Sequence, residues 1–146
     1  IRFDPLTYTE EWTGLVENKH NVWLHPPRNF LFNILELNPY PYVKYPLATG
    51  KQWQDSMSIG DHWSDPRWKV WKGRVVNQYT YEVKGRASVL VEGKEIPCWI
   101  IESSAKSSIG NTQLNSYFNE EYGFVKLDYT NIDGSKIILK LNKLPI

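Results

Sequence analysis

Sulfur-containing residues are almost missing from this sequence of 146 residues, which has one cysteine and one methionine. The single thiol, Cys98, excludes a disulfide within the chain and any metal site built from several cysteines. No run of about 18 apolar residues occurs, so no segment is predicted to cross a membrane. The chain begins at Ile1 and not at methionine, and we therefore expect that an upstream signal or lipid-anchor segment has been removed.

An excess of charge of either sign is also missing. The 17 Lys and Arg residues against 16 Asp and Glu residues give a formal net charge of +1, and the basic residues are scattered along the chain. Nucleic acids are held mainly by a concentrated positive field. The sequence therefore argues against a nucleic-acid partner.

Motifs of nucleophilic and phosphate chemistry do not occur in the sequence. There is no Gly-x-Ser-x-Gly elbow and no glycine-rich phosphate loop. Two pairs of adjacent carboxylates are present, Glu10 with Glu11 and Glu120 with Glu121. Neighbours on a strand point to opposite sides, so we expect these pairs to face solvent. No catalytic residue and no cofactor is predicted, and an enzyme is the least favoured class.

One short segment contains residue types that bind metals, namely Asp61, His62 and Asp65. A zinc site needs three or four converging ligands, and no second histidine follows His62 at a spacing typical of such sites. Asp65 precedes Pro66, and these residue types are also common in turns. We therefore predict a turn here, with the three residues as weak metal candidates only.

The clearest structural pattern lies at the C-terminal end of the chain. Residues 124–130 and 135–142 alternate apolar and polar side chains, which is the period of a strand with one buried face. Asp133 and Gly134 stand between them, and this dipeptide adopts the positive φ angles of a tight turn. The pattern predicts a β-hairpin.

More strands are predicted upstream, at residues 79–84, 87–91, 98–103 and 112–119. Gly85 is expected to mark a bulge or a turn between the first two. Connections this short join antiparallel neighbours, because a parallel crossover needs about a dozen residues. We expect an all-β fold with at most one short helix, in which residues 46–146 form a single strongly curved antiparallel meander, either a half-barrel or a lipocalin-like barrel.

Residues 1–45 are less regular and are expected to cover the sheet as part of one β-rich domain, residues 1–146. Residues 8–15 and 21–25 fit a hairpin around a polar turn, although their alternation is poor.

The next two segments complete the expected cover. Residues 30–37 are apolar at too many positions to separate a buried strand from a short helix, and we favour a strand. The prolines of residues 38–46 exclude a helix, so Tyr40 and Tyr42 are expected on an extended strip over apolar surface. Whatever part of the sheet this strip leaves open is the expected ligand pocket.

Three tryptophans, Trp63, Trp68 and Trp71, stand within nine positions, and Arg67 lies between them. In one interpretation their rings stack on a sugar or line an apolar pocket, with Arg67 and neighbouring aspartates supplying polar contacts. In the other, which we favour, the rings close one end of the curved sheet as part of the core. Both interpretations stay open at the level of sequence.

Three segments together resemble uncharacterised bacterial envelope domains: residues 46–53 (Pro-Leu-x-x-Gly-x-x-Trp), residues 91–98 (a glycine turn leading to cysteine) and residues 117–126 (Tyr-Phe, then Gly-Phe-Val-Lys). Such domains are similar in architecture to the lipoprotein-carrier type of fold, an incomplete antiparallel barrel whose concave side can hold an acyl chain. The resemblance implies a location in the bacterial periplasm or at the cell surface, and it carries over no catalytic residues. It does not extend to residues 1–45, where His25-Pro26-Pro27-Arg28 is a candidate plug of the concavity.

The sequence thus predicts an extracytoplasmic binding protein for a hydrophobic or amphipathic, lipid-like ligand. The candidate ligand-binding residues are Trp63, Trp68, Trp71, Arg67, Tyr40 and Tyr42. Two alternatives remain: a carbohydrate-binding module that uses the tryptophans, and a structural or protein-interaction domain of a cell-surface assembly.

Overall fold

A computed structural model describes residues 14–27 and 30–144, with the side chains of the second range described from Phe32 onward. Its strands are β1 (Leu15–Glu17), β2 (Asn21–Leu24), β3 (Tyr42–Lys44), β4 (Gln52–Ile59), β5 (Val75–Val91), β6 (Lys94–Ser107), β7 (Gly110–Asn119), β8 (Gly123–Thr130) and β9 (Lys136–Lys140). Two 3₁₀ helices, Phe30–Leu37 and Asp61–Trp63, lie between them.

The main sheet is an antiparallel meander of β4 to β9, in which each strand pairs with its neighbour in sequence. The prediction of an all-β antiparallel meander is confirmed. The sheet is open, because β4 and β9 do not pair with each other, so the closed lipocalin-like alternative is wrong. The meander predicted for residues 46–146 is one six-stranded sheet, and β1, β2 and β3 of the preceding segment form a second, three-stranded sheet that the sequence did not predict.

The predicted N-terminal hairpin exists in the part of the chain that the structure describes. β1 and β2 pair antiparallel, with Leu15 opposite Leu24. Asn18 fixes the turn because its side-chain oxygen accepts hydrogen bonds from the backbone N–H groups of His20 and Asn21. Residues 8–13 of the prediction lie outside the described residues.

The segment Phe30–Leu37 is a 3₁₀ helix, so the strand favoured from the sequence is wrong. A strand at this place would need a neighbouring strand to satisfy its backbone, whereas a helix satisfies most of its own hydrogen bonds. Phe32 and Leu35 are three positions apart and therefore lie on one side of the helix, where both are buried. The even spread of apolar residues gave no period that could distinguish the two structures.

The helix and β3 cover the inner face of the main sheet. Leu35 packs on Leu114 and Tyr129, and Val43 packs in the cluster that contains Tyr81. The extended, covering role predicted for residues 38–46 therefore agrees with the structure. His25, Pro26 and Pro27 are buried as well, while Arg28 lies outside the described residues.

Side chains of the main sheet also hold the cover by hydrogen bonds. Asn77 and Thr112 both donate to the carbonyl oxygen of Leu37 at 2.9 Å. Asn38 donates in the other direction, from the cover to the carbonyl oxygens of Gln113 at 3.3 Å and Thr130 at 3.1 Å. These bonds fix the cover at one register on the sheet.

Gly85 marks a bulge in β5, as the sequence predicts. Val83 pairs with Ile101, but Gly85 pairs with Ile100, so β5 carries one extra residue at this point. Because side chains alternate between the two faces, the buried positions move to the other face of the sheet beyond the bulge. A separate core cluster lies there, formed by Val89, Val91, Ile96, Cys98 and Val125.

Candidate functional site

The three tryptophans of the segment between β4 and β5 lie at one end of the main sheet. Trp71 is 8% exposed and packs with Leu37, Ile59 and Val75. Trp63 and Trp68 are half-buried at the margin of the same cluster. A sugar platform needs at least two indole faces open to solvent, and Trp71 offers none.

Arg67 extends from this segment into solvent. Its guanidinium forms an ion pair with Asp65 at 2.7 Å and lies 4.6 Å from the ring centre of Trp68. The hydrogen bonds from Arg67 lower the pKa of Asp65. Arg67 is therefore engaged in fixing the turn that the sequence predicts.

The weak metal candidates are engaged in the same turn. A carboxylate oxygen of Asp61 accepts a hydrogen bond from the N–H of Gly73 at 2.8 Å, and Asp65 is paired with Arg67. The exposed ring of His62 lies beside Trp63, 5.2 Å between ring centres. Across the two described ranges, no three metal-binding side chains converge.

Tyr40 and Tyr42 belong to the cover. Tyr42 is half-buried, and its ring contacts those of Trp53 and Tyr81. Tyr40 is buried, and its hydroxyl donates to Glu36 at 2.6 Å. Both tyrosines therefore pack between cover and sheet.

A buried polar cluster links the two parts of the cover. The Nε2 atom of His25 lies 3.1 Å from the carboxylate of Glu36 that Tyr40 also contacts. Since a carbonyl oxygen only accepts, His25 donates from Nδ1 to the carbonyl oxygen of Pro26 at 2.7 Å. The cluster ties β2 to the 3₁₀ helix and explains how a buried carboxylate is tolerated there.

A cavity with an apolar wall lies elsewhere, between the two sheets. This inter-sheet cleft has a volume of about 280 Å³ and is open to solvent. Its apolar wall is formed by Leu15, Val22, Leu24, Phe118 and Phe124. Three carboxylates, those of Glu17, Glu120 and Glu121, stand around it.

The turn between β7 and β8 has a structure that presents its two glutamates to solvent. The side-chain oxygen of Asn119 accepts hydrogen bonds from the N–H groups of Glu121 and Tyr122, at 2.8 and 2.9 Å. Gly123 closes the turn with a φ of 82°, a value that glycine adopts without steric cost. Glu120 and Glu121 are exposed, as the sequence predicts, but they lie in a turn and not on a strand.

Carboxylates of the two sheets act on the same phenol. Burial raises the pKa of Tyr45, and the negative charges of Glu120 and Glu17 raise it further. Glu17 belongs to β1, whereas Glu120 belongs to the turn after β7. Glu17 and Glu120 therefore stand near the same phenol, one from each sheet.

A second, more polar opening adjoins the cleft and shares Phe118, Glu120 and Glu121 with it. In this opening the guanidinium of Arg86 lies 4.5 Å from the ring centre of Trp99. The protein thus holds one of its own cations against an aromatic ring beside these carboxylates.

Cys98 is not a candidate nucleophile. It is fully buried, and burial raises the pKa of its thiol to about 11. The thiolate is the reactive form, so the group is inert near neutral pH.

The residues of the cleft are different from those selected from the sequence. The sequence places Phe118 and Phe124 correctly on strands, but nothing in it shows that β1 and β2 stand opposite them. The one usable signal is the glutamate pair Glu120-Glu121, which follows Asn119 at the end of the strand that contains Phe118.

No family model matches the chain, and neither a curated protein nor a solved structure shows significant similarity to it. Within the described ranges, no helix has the length and apolar character that crossing a membrane requires.

Proposed function

We propose that the protein is a non-catalytic binding module that takes an amphipathic ligand into the inter-sheet cleft. The observation that supports this best is that apolar side chains of two separate sheets, among them Leu24 and Phe124, line an opening that solvent reaches. An open apolar wall with polar groups around it is typical of a ligand site.

The size of the cleft supports a small ligand or a single short apolar chain. Its volume of about 280 Å³ lies near the lower end of the range of about 300–1,000 Å³ for small-molecule sites. The inner face of the main sheet, where the sequence placed the guest, is filled by Tyr79, Tyr81 and Leu114 under the cover. The proposed site therefore lies at the margin of the cover.

The proposal includes an extracytoplasmic location, as the sequence resemblance implies. The burial of the chain's one thiol supports it, because Cys98 cannot then form unwanted disulfides in an oxidising compartment. Fractionation of cells that express the natural gene product tests this part, and recovery in the cytosol would contradict it.

Binding can be tested with three probes that share a hexyl chain: hexylammonium, 1-hexanol and hexanoate. In two-dimensional NMR titrations, at least one probe is expected to shift the amide signals of residues around the cleft. If no probe shifts them, the proposed function is wrong. Native mass spectrometry of protein purified without detergent is the complementary search for a retained ligand.

The chain offers a matched pair of variants for this test. Leu15 lines the cleft and is 55% exposed, whereas Leu90 is 56% exposed and does not line it. Leu15→Ser is expected to weaken binding by about two- to fivefold, since part of the apolar contact is lost. Leu90→Ser removes an equally exposed leucine and should leave the affinity unchanged.

A further inference from the structure

Resting on the proposed function, we infer that the inter-sheet cleft selects a cationic amphiphile, that is, a primary ammonium or a guanidinium carried on a short apolar chain. The inference concerns the class of ligand and rests on the charges around the cleft, their lack of partners and the rings beneath them.

The three carboxylates of the cleft are available to a ligand. Among the residues that the structure describes, no ion pair or side-chain hydrogen bond involves the carboxylates of Glu17, Glu120 or Glu121. Elsewhere on the surface, Glu82, Asp65 and Asp128 each have a basic partner. A cation in the cleft would supply the missing partner.

The three charges also converge from both sides of the opening. Glu17 approaches from the three-stranded sheet, and Glu120 and Glu121 approach from the main sheet. Glu17 and Glu120 also both raise the pKa of Tyr45, which agrees with their proximity. A negative field focused in this way attracts a cation and repels an anion.

Aromatic rings complete the match to a cation with an apolar stem. Phe124 is half-buried and Phe118 is 1% exposed; both line the cleft and meet edge to face, 5.1 Å between ring centres, so Phe124 offers the accessible ring. Ring faces attract ammonium and guanidinium groups, and ring bodies pack against methylene groups. Arg86 on Trp99 shows the same pairing in the adjoining opening.

Arg86 carries a guanidinium, one of the two groups expected on the ligand. It lines the adjoining opening and does not line the inter-sheet cleft. Glu120 and Glu121 line that opening too, but Arg86 forms no ion pair with either of them among the described residues. Glu17 lines the inter-sheet cleft but not the adjoining opening, so the cleft has one carboxylate that is not near Arg86.

The three hexyl probes test the charge class directly. Hexylammonium is expected to bind about five- to tenfold more tightly than 1-hexanol, and hexanoate more weakly than both, because each exposed ion pair contributes modestly. Raising the ionic strength from about 0.01 M to about 1 M shortens the screening length from about 30 Å to about 3 Å and should remove most of this preference.

Variants locate the preference in the cleft. Glu17→Gln, Glu120→Gln and Glu121→Gln are each expected to weaken hexylammonium binding by about two- to fivefold while leaving 1-hexanol binding unchanged. Glu102→Gln, which removes an exposed carboxylate that does not line the cleft, is the control and should have no effect. Arg86→Met should strengthen hexylammonium binding about twofold, because it removes a positive charge from the opening that adjoins the cleft.

The possible outcomes separate this inference from the proposed function. Equal binding of the three probes would overturn the cationic class and leave the amphipathic site intact. Tighter binding of hexanoate would also overturn it. Absence of binding by all three probes would overturn both the cationic ligand class and the proposed binding function.

Discussion

The side-chain amide of Asn77 donates a hydrogen bond, 2.9 Å long, to the carbonyl oxygen of Leu37, a residue 40 positions earlier in the chain. Thr112 donates to the same oxygen from the neighbouring part of the sheet. A single carbonyl oxygen at the end of the 3₁₀ helix thus accepts hydrogen bonds from side chains of two strands. This junction joins the cover to the sheet.

The junction predicts a non-additive effect of mutation. Asn77→Leu and Thr112→Val should each lower the free energy of unfolding by about 1 kcal/mol, since the second donor still satisfies the Leu37 oxygen. The double variant should lose about 1–2 kcal/mol more than the sum, because only then is a buried carbonyl left without a donor. Urea unfolding measures all four states of this cycle.

A control for this cycle is the exposed hydroxyl of Thr80, which contacts Ser104 on the open face of the sheet. Thr80→Val should change stability by less than about 0.5 kcal/mol. Simple additivity in the double variant would show that the two bonds to Leu37 act independently, against the prediction.

Two buried tyrosines are expected to respond differently to loss of the hydroxyl. Tyr81 donates to the carbonyl oxygen of Tyr40 at 2.8 Å, so Tyr81→Phe should cost about 0.5–1.5 kcal/mol. The hydroxyl of Tyr129 is fully buried and has no hydrogen-bond partner among the described residues. Tyr129→Phe should therefore be neutral or stabilise the protein by up to about 1 kcal/mol.

Chemical unfolding of the two tyrosine variants side by side checks this contrast. Because each change removes one oxygen from a buried ring, volume effects largely cancel between them. A marked loss of stability in Tyr129→Phe would reveal a partner for its hydroxyl and contradict the prediction.

Stability should fall at alkaline pH. Burial raises the pKa of the Tyr79, Tyr81 and Tyr129 phenols, and it raises the pKa of the Cys98 thiol to about 11. A raised pKa contributes stability that is complete below the pKa of the unfolded chain, about 8.5 for Cys and about 10 for Tyr, and that is lost as the pH rises toward the folded value.

Urea unfolding between about pH 7 and pH 11 measures this loss. The free energy of unfolding should be flat to about pH 8 and then decline, first through the thiol and then through the phenols. Cys98→Ala should remove the decline between about pH 9 and pH 10 that precedes tyrosine ionisation. An unchanged slope in that variant would show that the thiol does not contribute.

The turn between β5 and β6 can be made more stable. Glu92 and Gly93 both have positive φ angles, 50° and 78°, and positive φ is unfavourable for glutamate. Glu92→Asn creates the Asn-Gly pair preferred in such hairpin turns and should raise the free energy of unfolding by about 0.5–1 kcal/mol.

Gly93→Ala serves as the opposite case. No atom lies within 4 Å of the position that its Cβ would occupy, so any cost arises from backbone conformation and not from a clash. A loss of about 1–2 kcal/mol is expected. Thermal unfolding of both variants checks the pair, and a destabilising Glu92→Asn would contradict the assigned turn.

The parts of the fold that could be predicted from the sequence are those in which apolar and polar residues alternate over a short segment. The hairpins of β6 to β9 follow from period-two patterns and short polar turns, and the Gly85 bulge follows from a glycine inside such a pattern. The 3₁₀ helix did not follow, because an evenly apolar segment carries no period. Its form depends on the sheet beneath it.

The inter-sheet cleft could not be predicted for a related reason. Leu15 and Phe124 are more than a hundred positions apart, and only the way the two sheets pack brings them to one opening. Trp71, in contrast, was favoured as core because large rings are usually buried, and it is buried.

The bulge at Gly85 limits how the long hairpin of β5 and β6 can change in length. Each added residue moves the side chains that follow it to the opposite face of the strand. A single insertion between the bulge and Val89 would therefore expose Val89 and Val91 to water. Insertions in matched pairs on both strands keep them inside. We expect the outer part of this hairpin to vary between natural versions of the protein only in steps of two residues per strand.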